Sequence, residues 1–113
     1  MNVKYLYGTL CLLTVCLAFS HEAAGMPGGD WIQATAAAPW SARTGHATVS
    51  FNGRLWVIGG TTSSGAVNDV WSTADGLSWA QVTASAGWEA RSGHCVVVSN
   101  GRMWLTGGLT ETN

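Results

Sequence analysis

The stretch Trp31–Gly60 recurs without a gap as Trp79–Gly108, every matched position offset by 48. The copies read WIQATAAAPWSARTGHATVSFNGRLWVIGG and WAQVTASAGWEARSGHCVVVSNGRMWLTGG. A fixed period of this size marks a repeat architecture, in which each unit buries its apolar face against the next unit. Fewer than two complete units are present, so function has to be read from a partial array.

Neither copy shows sustained helical periodicity. Short β-rich runs alternate with turn residues instead. His46–Phe51 is expected as the first strand of a unit. Asn52-Gly53 follows it, a pair suited to the positive φ angles of a two-residue hairpin turn. Arg54–Ile58 is the second strand, and Gly59-Gly60 is expected to end it. Thr61–Ala66 reads as a polar loop, Asp69–Thr73 as a third strand, Asp75-Gly76 as a turn and Ser78–Thr83 as a fourth strand. The second copy repeats two strands, His94–Ser99 and Arg102–Thr106, around Asn100-Gly101, and reaches Gly107-Gly108. A lone fourth strand is expected at 31–35, a full four-stranded antiparallel blade at 43–83 and a half blade at 91–108. The fold class is therefore all-β: about one complete propeller blade plus parts of two others.

Composition narrows the function classes. Charged residues make up only 10% of the 113 and the formal net charge is −1, which gives no footprint for nucleic acid. Seven Trp and 47% hydrophobic residues argue for a packed chain. The N-terminus belongs to another regime. Met1–Lys4 is positively charged, Tyr5–Phe19 is apolar, and Ala18-Phe19-Ser20 places small residues at a cleavage site. Residues 1–20 read as a secretory signal peptide, with an uncleaved anchor or a lipoprotein as the alternatives. Residues 21–30 read as a flexible leader into the repeats at 31–113. Localisation is then secreted or extracytoplasmic, with membrane contact only through an uncleaved signal. Cys11 and Cys16 leave with the signal, so Cys95 remains alone and is expected as a buried structural thiol.

The ordered set Arg43-x-Gly45-His46, Asn52-Gly53, Gly59-Gly60, Asn68-Asp69-Val70-Trp71 and Trp79 resembles kelch-type β-propeller repeats. The second copy supplies Arg91-x-Gly93-His94, Asn100-Gly101 and Gly107-Gly108. Trp71 departs from the pattern, since kelch repeats more often carry Tyr there. Ser72–Trp79 also resembles a shortened Asp-box hairpin, a structural turn in sialidase-like propellers. The kelch resemblance implies that Arg43, Arg91, His46 and His94 serve inter-blade hydrogen bonding. Metal or catalytic use of the two His is the alternative, but the same set occurs in both copies, which favours a packing device. No Cys or carboxylate stands at ligand spacing for zinc.

Trp40 and Trp88 lie in the connection between a fourth strand and the next first strand. In propellers this connection shares a face with the loop between strands two and three. Each Trp either caps its own blade or offers stacking surface to a protein or glycan. Glu89 replaces Ser41 in the second copy, so the loop varies between the copies. Asp69 and Asp75 are both attributed to turn chemistry.

The reading is a non-catalytic, secreted kelch-like module, with no cofactor, that binds a protein or glycan through Trp40, Trp88, Glu89, Arg43 and Arg91. One alternative is the N-terminal piece of a galactose-oxidase-like enzyme. Its copper site implies Tyr ligands, and the two Tyr here, Tyr5 and Tyr7, lie in the signal. A sialidase reading lacks an arginine triad. A truncated product without independent activity is the remaining alternative. Open blade faces make self-association a further expectation.

Overall fold

The computed structural model describes residues 32–111. The signal peptide, the leader, Trp31 and residues 112–113 lie outside the described residues. The described residues form six strands: β1 (Ala47–Phe51), β2 (Arg54–Thr62), β3 (Gly65–Thr73), β4 (Trp79–Thr83), β5 (Arg91–Ser99) and β6 (Arg102–Thr110). They contain no helix. β1 to β4 make one antiparallel sheet in chain order, and β5 and β6 make a second, two-stranded sheet.

Local chemistry explains the turns. Asn52 and Gly53 have φ of 49° and 67°, and Phe51 pairs with Arg54 directly across them. Asn100 and Gly101 repeat this at 52° and 68°, between Ser99 and Arg102. Positive φ at both central residues matches the twist of the flanking strands, so the hairpin register is fixed. Between β3 and β4, the Asp75 carboxylate accepts from the backbone N–H groups of Leu77 and Ser78. Thr73 Oγ1 accepts from the N–H of Gly76 at 2.9 Å. The shortened Asp-box segment is thus a hairpin turn held by side-chain acceptors.

The strands run further than expected at one end. β2 continues through Gly59-Gly60 to Thr62, and β6 through Gly107-Gly108 to Thr110. The diglycine does not end the strand. In β2 it forms a bulge, where the pairing with β3 shifts between Ile58 and Gly60. β3 correspondingly starts at Gly65, which leaves only a tight turn where a longer loop was expected. A Cβ on Gly60 would stand 2.8 Å from the Thr44 carbonyl oxygen and 2.9 Å from His46 Cβ, so glycine is required for the approach of these backbones. Thr44 and Thr61 exchange both backbone hydrogen bonds there.

Residues 32–35, expected as a lone fourth strand, are not a strand. A strand exists through its ladder, and no strand of the described residues pairs with them.

The two sheets pack through β5, which lies against β1, β2 and β3. The buried apolar residues are Ala47, Val57, Ile58 and Val70, all in the complete blade. The equivalent positions of the half blade are open. Ile58, Gly59 and Gly60 are buried, whereas their counterparts Thr106, Gly107 and Gly108 are exposed. Val97 and Trp104 are each 51% exposed, and Cys95, expected to be buried, is half-buried. The difference follows the cover: β2 has β3 beside it and β5 across it, while β6 is hydrogen-bonded to β5 alone among the described residues.

Candidate functional site

The connection from β4 to β5 is held by Asn68 of β3, and the segment leading into β1 ends beside the end of β2. The Thr44–Thr61 bridge brings the start of the first repeat to the upper end of β2. Glu111, just past β6, reaches the start of β3, where its carboxylate accepts from the Ala66 N–H.

Arg43 organises this end of the complete blade. Its guanidinium donates to Asp69 Oδ1 at 2.6 Å and Oδ2 at 3.0 Å, and to the Gly59 carbonyl at 3.0 Å. The Arg43 side chain is 1% exposed. Trp71 Nε1 also donates to Asp69 Oδ2, at 2.8 Å. Burial alone would raise the Asp69 carboxyl, but hydrogen bonds from Arg43 and Trp71 together with the Arg43 charge hold it below the usual carboxylate range. Asp69 therefore sits inside β3 as the partner of a buried cation, which corrects its assignment to turn chemistry. Asp75 is the turn residue of the two.

Trp40, a candidate for ligand stacking, packs on its own blade. Its ring meets Trp79 edge-on at 5.6 Å, lies 6.3 Å from the His46 ring, and has Arg43 Cζ at 5.7 Å from its centroid. Four residues singled out in the sequence, Trp40, Arg43, His46 and Trp79, thus form one cluster. Trp88 is half-buried in the second copy, and Glu89 beside it is exposed. Arg91 donates to the Gly107 carbonyl at 2.8 Å, as Arg43 does to Gly59.

His46 immediately precedes β1, and His94 lies within β5. His94 Nε2 is 3.0 Å from the Ile58 carbonyl oxygen, which joins the half blade to the complete one. Neither His46 ring nitrogen has a partner, although the residue is only 5% exposed. Burial lowers the pKa of both imidazoles. The Arg43 and His94 charges add to the effect at His46, while the Ile58 carbonyl partly offsets it at His94. The described residues hold no group of three His, Cys, Asp or Glu side chains placed to bind a metal ion.

Asn68 has a role that its place in the sequence motif does not reveal. Its Nδ2 donates to the carbonyls of Ala86 (3.0 Å) and Trp88 (2.9 Å), and its own carbonyl accepts from the Ala86 N–H at 3.0 Å. The first blade thereby fixes the loop that carries Trp88 and Glu89. The repeat could not expose Asn68 or Asp69, because their counterparts, 48 positions on, fall past Asn113.

A full antiparallel blade, a half blade packed against it and an Arg–Gly–His frame at the start of each define a partial kelch-type propeller. Residues 42–72 match the Kelch motif, so the chain carries a kelch repeat. The solved structure of YjhT is similar to this chain with 29% sequence identity and a TM-score of 0.62. The likeness covers 74% of this chain and 25% of that one, so the chain spans about a quarter of that structure's length. No curated protein matches the chain.

Proposed function

We propose that the chain supplies blades to a secreted, non-catalytic kelch propeller that binds a protein or glycan through the connections between blades. The observation that carries this reading is the loop at 84–90. Three hydrogen bonds to Asn68 hold its backbone, while Ser85, Gly87 and Glu89 stay exposed. The copies also differ there, with Gly87 for Pro39 and Glu89 for Ser41. A variable loop on a fixed frame is what recognition requires. The apolar N-terminal segment supports secretion. Within the complete blade, Arg43 and Asp69 are occupied with each other, which supports a structural use of its charges.

Intrinsic tryptophan fluorescence under titration with oligosaccharides, and pull-down with extracellular protein extracts followed by identification, test the reading. Binding that is weakened at least about tenfold by Trp88→Ala or Glu89→Lys, with the fold retained, is the expected result. Binding indifferent to both changes would reject this loop as the site. Stoichiometric copper in the purified chain, with oxidase activity, would reject the non-catalytic role.

A further inference from the structure

Among the described residues, the non-glycine residues with positive φ are Asn52 and Asn100, the same residue in the two copies. Each is followed by a glycine that is also at positive φ. Asn52, Gly53, Asn100 and Gly101 are all exposed. None of them is paired in a ladder, since the two hairpins close at Phe51–Arg54 and Ser99–Arg102. A Cβ on Gly53 or Gly101 would meet nothing within 4 Å, so no neighbour crowds either tip. The strand ends behind the tips are held. Trp56 Nε1 donates to the Phe51 carbonyl at 3.0 Å, and Trp104 Nε1 to the Ser99 carbonyl at 3.1 Å. Asn68 is the contrast: it lies half-buried within β3, and its amide is engaged by the Ala86 and Trp88 carbonyls.

We propose that Asn52 and Asn100 are sites of self-modification, at which the side-chain amide is lost through a cyclic imide closed on the following glycine. The glycine backbone nitrogen gives its proton to solvent base and attacks the Asn Cγ. The N–Cγ bond forms, the Cγ–Nδ2 bond breaks, and Nδ2 leaves as ammonia. Glycine lacks the Cβ that would obstruct this closure. Water then opens the imide. Breaking the N–Cγ bond returns the ordinary backbone and leaves aspartate. Breaking the bond from nitrogen to the main-chain carbonyl carbon leaves isoaspartate, with the chain running through Cγ. Aspartate keeps the turn, because Asp-Gly suits the same pair of positive φ angles. Isoaspartate adds an atom to the backbone between ladder ends that the indoles hold, so it works against the hairpin register. Either product puts a carboxylate two residues before Arg54 or Arg102. The modification is independent of what the loop at 84–90 binds.

Peptide mass spectrometry on the full chain, incubated at mildly alkaline pH and then digested with trypsin, tests this. Cleavage after arginine releases 44–54 and 92–102, each holding one Asn-Gly pair. Both peptides should gain the mass of an amide-to-acid exchange and separate into aspartate and isoaspartate forms. The peptide 55–91, which holds Asn68, should keep its amide. Gly53→Ala should slow the loss at Asn52, with Asn100 in the same molecule as the reference. A free peptide of the sequence 44–54 gives the rate outside the fold. If Asn52 and Asn100 keep their amides over a period in which the free peptide is converted, the hairpins protect them and the proposal is overturned. Conversion of Asn68 as fast as Asn52 would also overturn it, since the fold would then select no site. So would a Gly53→Ala chain that loses the Asn52 amide at the unchanged rate, because closure on the glycine nitrogen would not be the route.

Discussion

Arg43 shows how one side chain can tie a blade together. It enters from the segment before β1 and is neutralised by Asp69 on β3, 26 residues later. Removing one member of such a pair leaves a desolvated charge, which typically costs about 3–5 kcal/mol. Asp69→Leu should therefore lower the urea midpoint more than Asp75→Ala, whose carboxylate only caps an exposed turn. Equal effects would show that the ion pair is unimportant. The imidazoles predict a pH response at the same scale. Unfolded His titrates near about 6.5, and burial places the folded values of His46 and His94 lower. Above about 6.5 both states are neutral and the histidine contribution is complete. As pH falls below that value the unfolded chain takes up protons first, and stability is lost down to the folded pKa. Asp69 acts in a more acidic window. Its depressed carboxyl contributes fully above about 3.9, and the contribution is lost as pH falls through the folded value. Thermal melts between pH 7.5 and 5 should show the midpoint falling, and His94→Gln should flatten that fall.

At the level of elements, the diglycines separate two uses of the same residue. Gly53 needs only its positive φ, so Gly53→Ala should cost about 1 kcal/mol. Gly59→Ala adds a clash with His94 Cε1 at 2.8 Å and close contact with the Arg91 carbonyl at 3.2 Å. It should cost about 1–3 kcal/mol more, and chemical denaturation of the two variants would show the difference. Asn68→Ala should release the loop at 84–90, seen as faster hydrogen exchange in that loop with β1 and β2 still protected. These elements also show what the residues alone disclose. Both Asn-Gly hairpins, the order of the four strands and the half blade follow from turn chemistry and alternation, and each is present. The continuation of β2 and β6 past their glycines was not legible, because a bulge and a stop look the same without the partner strand. The Arg43–Asp69 pair was hidden for a related reason. It joins the segment before β1 to β3 and the repeat shows it only once, so no second copy could mark it as structural. Of the strand expected at 31–35, the described residues 32–35 are not a strand, since ladder bonds need a neighbour that local sequence cannot supply.

For the whole molecule, the central claim is that the two copies are adjacent blades and that burial arises between them. The distribution of exposure supports it: Ile58, Gly59 and Gly60 of the first blade are covered by β5, while the same positions of the second blade are exposed. The most direct test is an NMR cross-peak across the repeat boundary. His94 Hε1 should show a strong nuclear Overhauser effect to a Gly59 Hα, because the Cβ direction of Gly59 points at His94 Cε1 from 2.8 Å. If His94 Hε1 instead contacts only protons of its own β5–β6 hairpin, the two sheets do not pack as neighbouring blades.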